Sequence, residues 1–258
     1  MALMQCNFFS DVLGVMAKMM VIIPQQTTRC IGVSDKADAG AAGFRTLYLL
    51  HGLSDDETVW ERRTSIERYA QEKGIAVVMP TTLRFFYTDT AHGYRYFTHI
   101  ADEVPALAQQ FFRLSPRRED NYVAGLSMGG YGAFKVALSR PERFAAAASM
   151  SGVMDVADFN RESVDAATRR ELEGVFGTAP IRGTANDLYH LAEQAAKGPH
   201  RPRLFQTCGT EDFLYKMNCD FRDFVKPLGF VYTYTEMPGV HCWEFWDARI
   251  QEILAWLG

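Results

Sequence analysis

Short apolar runs alternate with longer stretches of helical spacing along most of this chain. Arg45–Leu50, Ile75–Met79, Tyr122–Gly125, Phe144–Met150, Arg203–Cys208 and Phe230–Thr235 are brief and rich in apolar or β-branched residues, and predict buried strands. Two earlier runs, Ala2–Phe9 and Met19–Ile23, predict an antiparallel start to the same sheet. Between them Thr64–Lys73, Ile100–Phe112, Gly129–Ser139, Cys219–Leu228 and the C-terminal segment from Cys242 to Leu257 place apolar residues at intervals that suit one buried helix face. The alternation predicts an α/β fold, about eight strands in a mostly parallel sheet flanked by helices, over a single domain of residues 1–258. Residues 152–198 interrupt it. They are charged, Ala-rich and helix-prone, with Arg161, Glu162, Arg169, Arg170, Glu171 and Glu173, and read either as a small cap over a site or as an ordinary surface excursion.

The most informative chemistry sits where a predicted strand turns into a predicted helix. Gly125-Leu126-Ser127-Met128-Gly129 fits G-x-S-x-G, with Gly130 following. A serine presented on so sharp a turn needs neighbours without Cβ atoms, so that strand and helix can approach each other. An orienting acid and then a histidine should follow such a serine along the chain. The acid candidate is Asp212, in Gly209-Thr210-Glu211-Asp212 after a strand, with Glu211 its rival. The base candidate is His241, in the Pro-Gly loop after the last strand. His92 and His99 precede the serine, and His190 and His200 lie in polar, helix-like sequence. His51, in Leu49-Leu50-His51-Gly52-Leu53, ends a strand and is read as bracing the following loop by hydrogen bonds.

A serine hydroxyl attacks a carbonyl only when an imidazole takes its proton and a carboxylate fixes that imidazole's tautomer. The negative charge that builds on the carbonyl oxygen calls for backbone N–H donors, here those of Leu53 and Met128. Acyl transfer to serine and then to water follows. The aromatic loop Leu83–Phe97 supplies Phe86, Tyr87 and Tyr96 as walls of an acyl or aryl pocket, although such rings also serve as core.

Composition narrows the picture. The chain has 258 residues, 48% of them hydrophobic, enough to bury a full core, and a net charge of −4 with dispersed Lys and Arg, which argues against a nucleic-acid partner. No apolar run is long enough to span a bilayer, and the first 24 residues lack the basic start and unbroken apolar stretch of a signal peptide. Five cysteines, at 6, 30, 208, 219 and 242, have no metal-ligand spacing and read as reduced thiols in a cytoplasmic protein. Cys242 could make the site thiol-sensitive or simply pack at a helix start. Neither a cofactor nor a metal is expected, for no His-x-His or His-Glu-x-x-His occurs.

Across most of its length the chain resembles the esterase D-like branch of the α/β-hydrolases, which includes tributyrin-type carboxylesterases, S-formylglutathione hydrolases and feruloyl esterases. The resemblance rests on Leu49-Leu50-His51-Gly52 with Trp60; on Val77-Val78-Met79-Pro80; on Tyr87-Thr88-Asp89 and Tyr96; on Gly125 to Ala133; on Gly209-Thr210-Glu211-Asp212-Phe213-Leu214; and on Gly239-Val240-His241 with Trp243. It is nearest to the tributyrin esterases. It implies Ser127, Asp212 and His241 as the catalytic triad, Leu53 and Met128 as oxyanion donors, Trp60 beside the substrate, and a small-molecule ester cleaved through an acyl-enzyme. Self-association is left open. The loop Ser54-Asp55-Asp56 departs from the cysteine-containing sequence typical of S-formylglutathione hydrolases, which puts a glutathione thioester in doubt more than the fold. A thioesterase or acyltransferase with the same triad is the alternative, and a non-catalytic binding protein a distant one.

Overall fold

The computed structural model describes residues 1–29, 31, 39–157 and 165–258, so Cys30 and the 158–164 part of the predicted cap, with Arg161 and Glu162, lie outside the described residues. The strands are β1 (Ala2–Ser10), β2 (Val15–Ile23), β3 (Thr46–Leu50), β4 (Ala76–Pro80), β5 (Asn121–Leu126), β6 (Ala146–Met150), β7 (Arg203–Gly209) and β8 (Tyr232–Met237). They form one sheet in the order β1-β2-β4-β3-β5-β6-β7-β8. β1 pairs β2, and β2 pairs β4, antiparallel; every other pairing is parallel. The helices are α1 (Val59–Arg63), α2 (Ile66–Lys73), α3 (Tyr96–Thr98), α4 (Val104–Phe111), α5 (Met128–Ser139), α6 (Ala166–Phe176), α7 (Leu188–Lys197), α8 (Tyr215–Val225) and α9 (Trp243–Leu257).

Every residue of β3, β4, β5 and β6 is buried, which is why these strands read as unbroken apolar runs. Alternate residues serve opposite faces. Tyr48, Leu50, Val78 and Val123 join a core that includes Phe134 of α5 and Phe221 of α8. Leu47, Leu49, Val77 and Ala124 join a second core with Ile66 of α2 and Ile250 and Leu254 of α9. Helices thus cover both faces of the sheet, the α/β-hydrolase arrangement expected from the alternation.

The predicted helix Ile100–Phe112 is interrupted. A π-turn occupies His99–Glu103, where Arg140 and Arg143 both bond the Asp102 carboxylate, and regular α4 begins only at Val104 with Pro105 in its first turn. The described part of 152–198 forms α6 and α7. It packs on α5 and the aromatic loop, through Tyr131 Oη to the Asn186 carbonyl (2.9 Å), Arg84 to Glu171 and the Phe86–Phe176 ring contact.

In parallel sheets of this kind a ligand sits beyond the carboxyl ends of the strands. The loops that leave β3, β5, β7 and β8 carry Leu53, Ser127, Asp212 and His241 in turn.

Candidate active site

Ser127 occupies the turn between β5 and α5 with φ 52° and ψ −118°, a conformation that costs on the order of 1–3 kcal/mol and persists only when its surroundings enforce it. Here they do. Its N–H donates to the Met150 carbonyl (2.9 Å), and its own carbonyl accepts from Gly130 (3.0 Å), Tyr131 (3.2 Å) and Val153 (3.3 Å). The glycines have the mechanical role their spacing implied. A Cβ on Gly125 would overlap the backbone of Gly129, and one on Gly129 would come within 2.5 Å of the Leu50 carbonyl oxygen. Strand, elbow and helix therefore close against one another only because these positions carry no side chain.

The acid and base loops are clamped together in the same way. A Cβ on Gly209 would overlap the Gly239 carbonyl. Across that contact the Glu211 N–H donates to the Gly239 carbonyl (3.1 Å), and the Gly239 N–H donates to the Glu211 carboxylate. Glu211 is thereby spent on the backbone. Asp212, buried beside it, accepts from His241 Nδ1 at 2.9 Å and from the Leu214 N–H at 2.8 Å. Burial would raise the Asp212 carboxyl, but these hydrogen bonds outweigh it and hold the group below the ordinary aspartate value. An ionised Asp212 can only accept, so His241 carries its proton on Nδ1 and offers a basic Nε2.

His51 sits under the loop that enters from β3. Its Nε2 accepts the Thr82 N–H (3.0 Å), which leaves Nδ1 as the donor to the Gly52 carbonyl (2.7 Å), and burial pushes the ring below the usual histidine value. A neutral, fully bonded imidazole fixes this loop. Gly52 lies close enough to the elbow that a Cβ there would stand 3.9 Å from the Ser127 Cβ. Leu53 follows it directly. Met128 opens α5, so its N–H is one of the donors a helix start leaves without an intrahelical partner.

Ser127 and His241 line one cavity of about 540 Å³ with Gly52, Leu53, Ser54, Asp55, Leu126, Phe213, Trp243 and Trp246, and with Arg63, Cys242 and Glu244 among its polar lining. Phe213 is 75% exposed and lies against the His241 ring at 4.6 Å, while Trp246 meets the same ring edge-on at 4.8 Å. These aromatic walls come from the residue after the acid and from the first turns of α9. The sequence pattern points instead to the 83–97 loop. The available signal was adjacency, since Phe213 abuts Asp212 and Trp243 follows His241 by two.

The aromatic residues expected as walls lie elsewhere. Trp60 is buried, donates from Nε1 to the Leu50 carbonyl (3.1 Å) and supports Trp243 edge-on from behind at 5.2 Å. Tyr87 is fully buried, with its hydroxyl on the His51 carbonyl (2.9 Å) and its ring in the space that Gly132 leaves empty. Phe86 packs between Tyr131 and Phe176 in the core. Tyr96 lines a separate cavity, of about 470 Å³, on the far side of the Asp55-Asp56 turn. The physical reason is hydrogen bonding. The strand-end carbonyls of Leu50 and His51 need donors, and Trp60 and Tyr87 supply them from within the protein. Among the described residues no group of three His, Cys, Asp or Glu side chains converges as metal ligands do, and no helix is long and apolar enough to cross a membrane.

Comparison with known proteins gives concordant matches. Residues 35–257 match the Esterase family, described as "Putative esterase". A fluorophosphonate-binding serine hydrolase of Staphylococcus aureus (FphF), solved with substrate bound, superposes with a TM-score of 0.87 at 36% identity, over 99% of this chain and 98% of that one. The S-formylglutathione hydrolase (FrmB) of Staphylococcus aureus gives 0.83 at 34% identity, again over 99% and 98%. An acetyl esterase of Caldicellulosiruptor saccharolyticus is 28% identical over 267 residues, covering 100% of this chain and 98% of its own.

Proposed function

This chain belongs to the Esterase family, in the esterase D-like branch of the α/β-hydrolases, and is a serine carboxylesterase; on that premise we propose that Ser127, His241 and Asp212 are its triad and that its substrates carry short acyl groups. Ser127 Oγ attacks the ester carbonyl as His241 Nε2 takes its proton. Asp212 steadies the imidazolium that results. The Leu53 and Met128 N–H groups receive the charge on the carbonyl oxygen, each contributing about 10²–10³ in rate. Collapse breaks the ester bond, and the departing alcohol takes the proton from His241. Water, deprotonated by the same imidazole, then cleaves the acyl-enzyme to carboxylate and restores Ser127.

The observation that carries the reading is the Asp212–His241 pair beside Ser127 on one cavity of about 540 Å³ walled by Phe213, Trp243 and Trp246. That volume suits a small ligand, and the resemblance to an acetyl esterase supports a short acyl group. The reading takes residues 1–258 as one catalytic unit in which the described part of 152–198 buttresses α5. It places the enzyme in the cytoplasm, where the free thiols of Cys6, Cys208, Cys219 and Cys242 would stay reduced. A second reading, a formyl thioester of glutathione, is favoured by the likeness to the Staphylococcus aureus S-formylglutathione hydrolase. Initial rates on p-nitrophenyl esters from acetate to octanoate, beside methyl ferulate and S-formylglutathione, decide. A maximum at acetate to butyrate is expected; a preference for the thioester or the ferulate would replace the short-ester reading.

A further inference from the structure

The cavity that holds Ser127 and His241 is charged as well as aromatic, for Asp55, Arg63 and Glu244 all line it. Arg63 and Glu244 offset one another. The Glu244 carboxyl is held below the ordinary glutamate value by its own backbone N–H, by the Cys242 thiol and by the Arg63 charge. Asp55 has no such counterpart. Its half-buried carboxylate meets no hydrogen-bond donor and no ion-pair partner among the described residues, while the turn that carries it is pinned by the Asp55 N–H on the Gly52 carbonyl (3.3 Å). It also stands next to the chemistry. The position a Cβ would take on Gly52 lies 2.9 Å from Asp55 Oδ2 and 3.9 Å from the Ser127 Cβ, so carboxylate and nucleophile flank the same glycine. One uncompensated negative charge therefore faces the reacting ester.

The walls beside His241 are aromatic rings. His241 must hand its proton to the departing alcohol, so the rings packed around it flank the leaving group. Phe213 lies on that imidazole at 4.6 Å and is otherwise open to the cavity, and Trp243 is held between Trp60 at 5.2 Å and Trp246 at 5.3 Å, at right angles to both. Ring faces near a carboxylate attract an organic cation. A quaternary ammonium suits them best, because it has no N–H to satisfy and presents only methyl groups that share the positive charge. We infer that the Ser127 cavity selects esters of choline-like alcohols, which carry a quaternary ammonium two carbons beyond the ester oxygen, and that Asp55, Phe213 and Trp243 determine this specificity. The inference rests on the proposed esterase reading and names the alcohol half of its substrate.

The test uses two substrates of one shape, acetylcholine and 3,3-dimethylbutyl acetate, in which carbon replaces the charged nitrogen. The readout is the ratio of their kcat/KM values, measured by pH-stat on the full-length wild type, Asp55→Asn and Phe213→Leu, with circular dichroism confirming the fold. The wild type is expected to favour acetylcholine about tenfold or more, and that ratio to fall about threefold or more in each variant and to decline as NaCl is raised from about 0.02 to about 0.5 M. A wild-type ratio near unity, or a ratio unmoved by Asp55→Asn in the folded protein, would overturn the inference; should that variant not fold, a wild-type ratio insensitive to salt does the same. So would a preference for acetoxyacetate over both esters that Arg63→Met abolishes, which would make the selected group a carboxylate. A wild type that cleaves p-nitrophenyl acetate but not acetylcholine would likewise overturn it, whereas one that cleaves none of these esters would count against the esterase reading itself.

Discussion

Asp212 and Glu211 are adjacent and carry the same charge, yet the fold assigns them different partners. Glu211 reaches the Gly239 N–H and closes one loop on another, whereas Asp212 turns inward to His241. An amide at 212 can no longer select the tautomer with Nδ1 protonated, so Asp212→Asn should lower kcat on p-nitrophenyl acetate by about 10⁴. Glu211→Gln keeps the imidazole's partner and should lose less than about tenfold, the scale of one hydrogen bond to a charged group. The sequence favoured Asp212 and left Glu211 as its rival, because what separates them in space is the backbone of Gly239, a residue 28 positions away. The same limit applies to Trp60 and Tyr87. Their ring chemistry was legible, but not their position beneath the carbonyls of Leu50 and His51.

At the scale of elements, the elbow works as one object made from three segments. β5 and α5 meet without a side chain at Gly125 or Gly129, and the end of β3 presses on the same point. A methyl at 125 would overlap the Gly129 backbone, which has no flexible end to move. Gly125→Ala should therefore cost about 1–3 kcal/mol, read as a lower Tm, and should reduce turnover further than that loss explains by displacing Ser127. The strands were legible because residues buried on both faces leave continuous apolar runs, as in Leu47 to Leu50 and Val77 to Met79. The break at His99–Glu103 was not. There Arg140 and Arg143 reach Asp102 from beyond α5, and Pro105 has no N–H to continue the ladder.

At the scale of the whole molecule, a buried lysine joins α5 to two loops. Lys135 of α5 is buried, and its ammonium bonds Thr88 Oγ1 (2.7 Å) of the aromatic loop and Asn186 Oδ1 (2.6 Å) ahead of α7. Burial lowers its pKa to about 7 from 10.5, with Asp89 partly opposing. Between those two values the unfolded chain holds more protons than the folded one, so this lysine makes stability rise with pH from about 7 towards 10. Cys208, raised by burial from 9.0, opposes this trend above about pH 9, and Tyr87 and Tyr131, also raised by burial, oppose it above their unfolded value of 10. Urea melts of wild type and Lys135→Met from pH 7 to 9.5 should show a rising stability in the first and a flatter profile in the second. Parallel profiles would mean that Lys135 does not titrate in this window.

All of this organisation converges on one hydroxyl. The most direct measurement is labelling with a fluorophosphonate, followed by peptide mass spectrometry, on wild type, Ser127→Ala and His241→Ala. The account predicts stoichiometric phosphonylation of Ser127 in the wild type, none in Ser127→Ala, and a rate reduced by at least about 10³ in His241→Ala, since the serine then lacks its base. A folded wild type that hydrolyses p-nitrophenyl acetate but carries its label on another residue, or that labels equally well without His241, would contradict it.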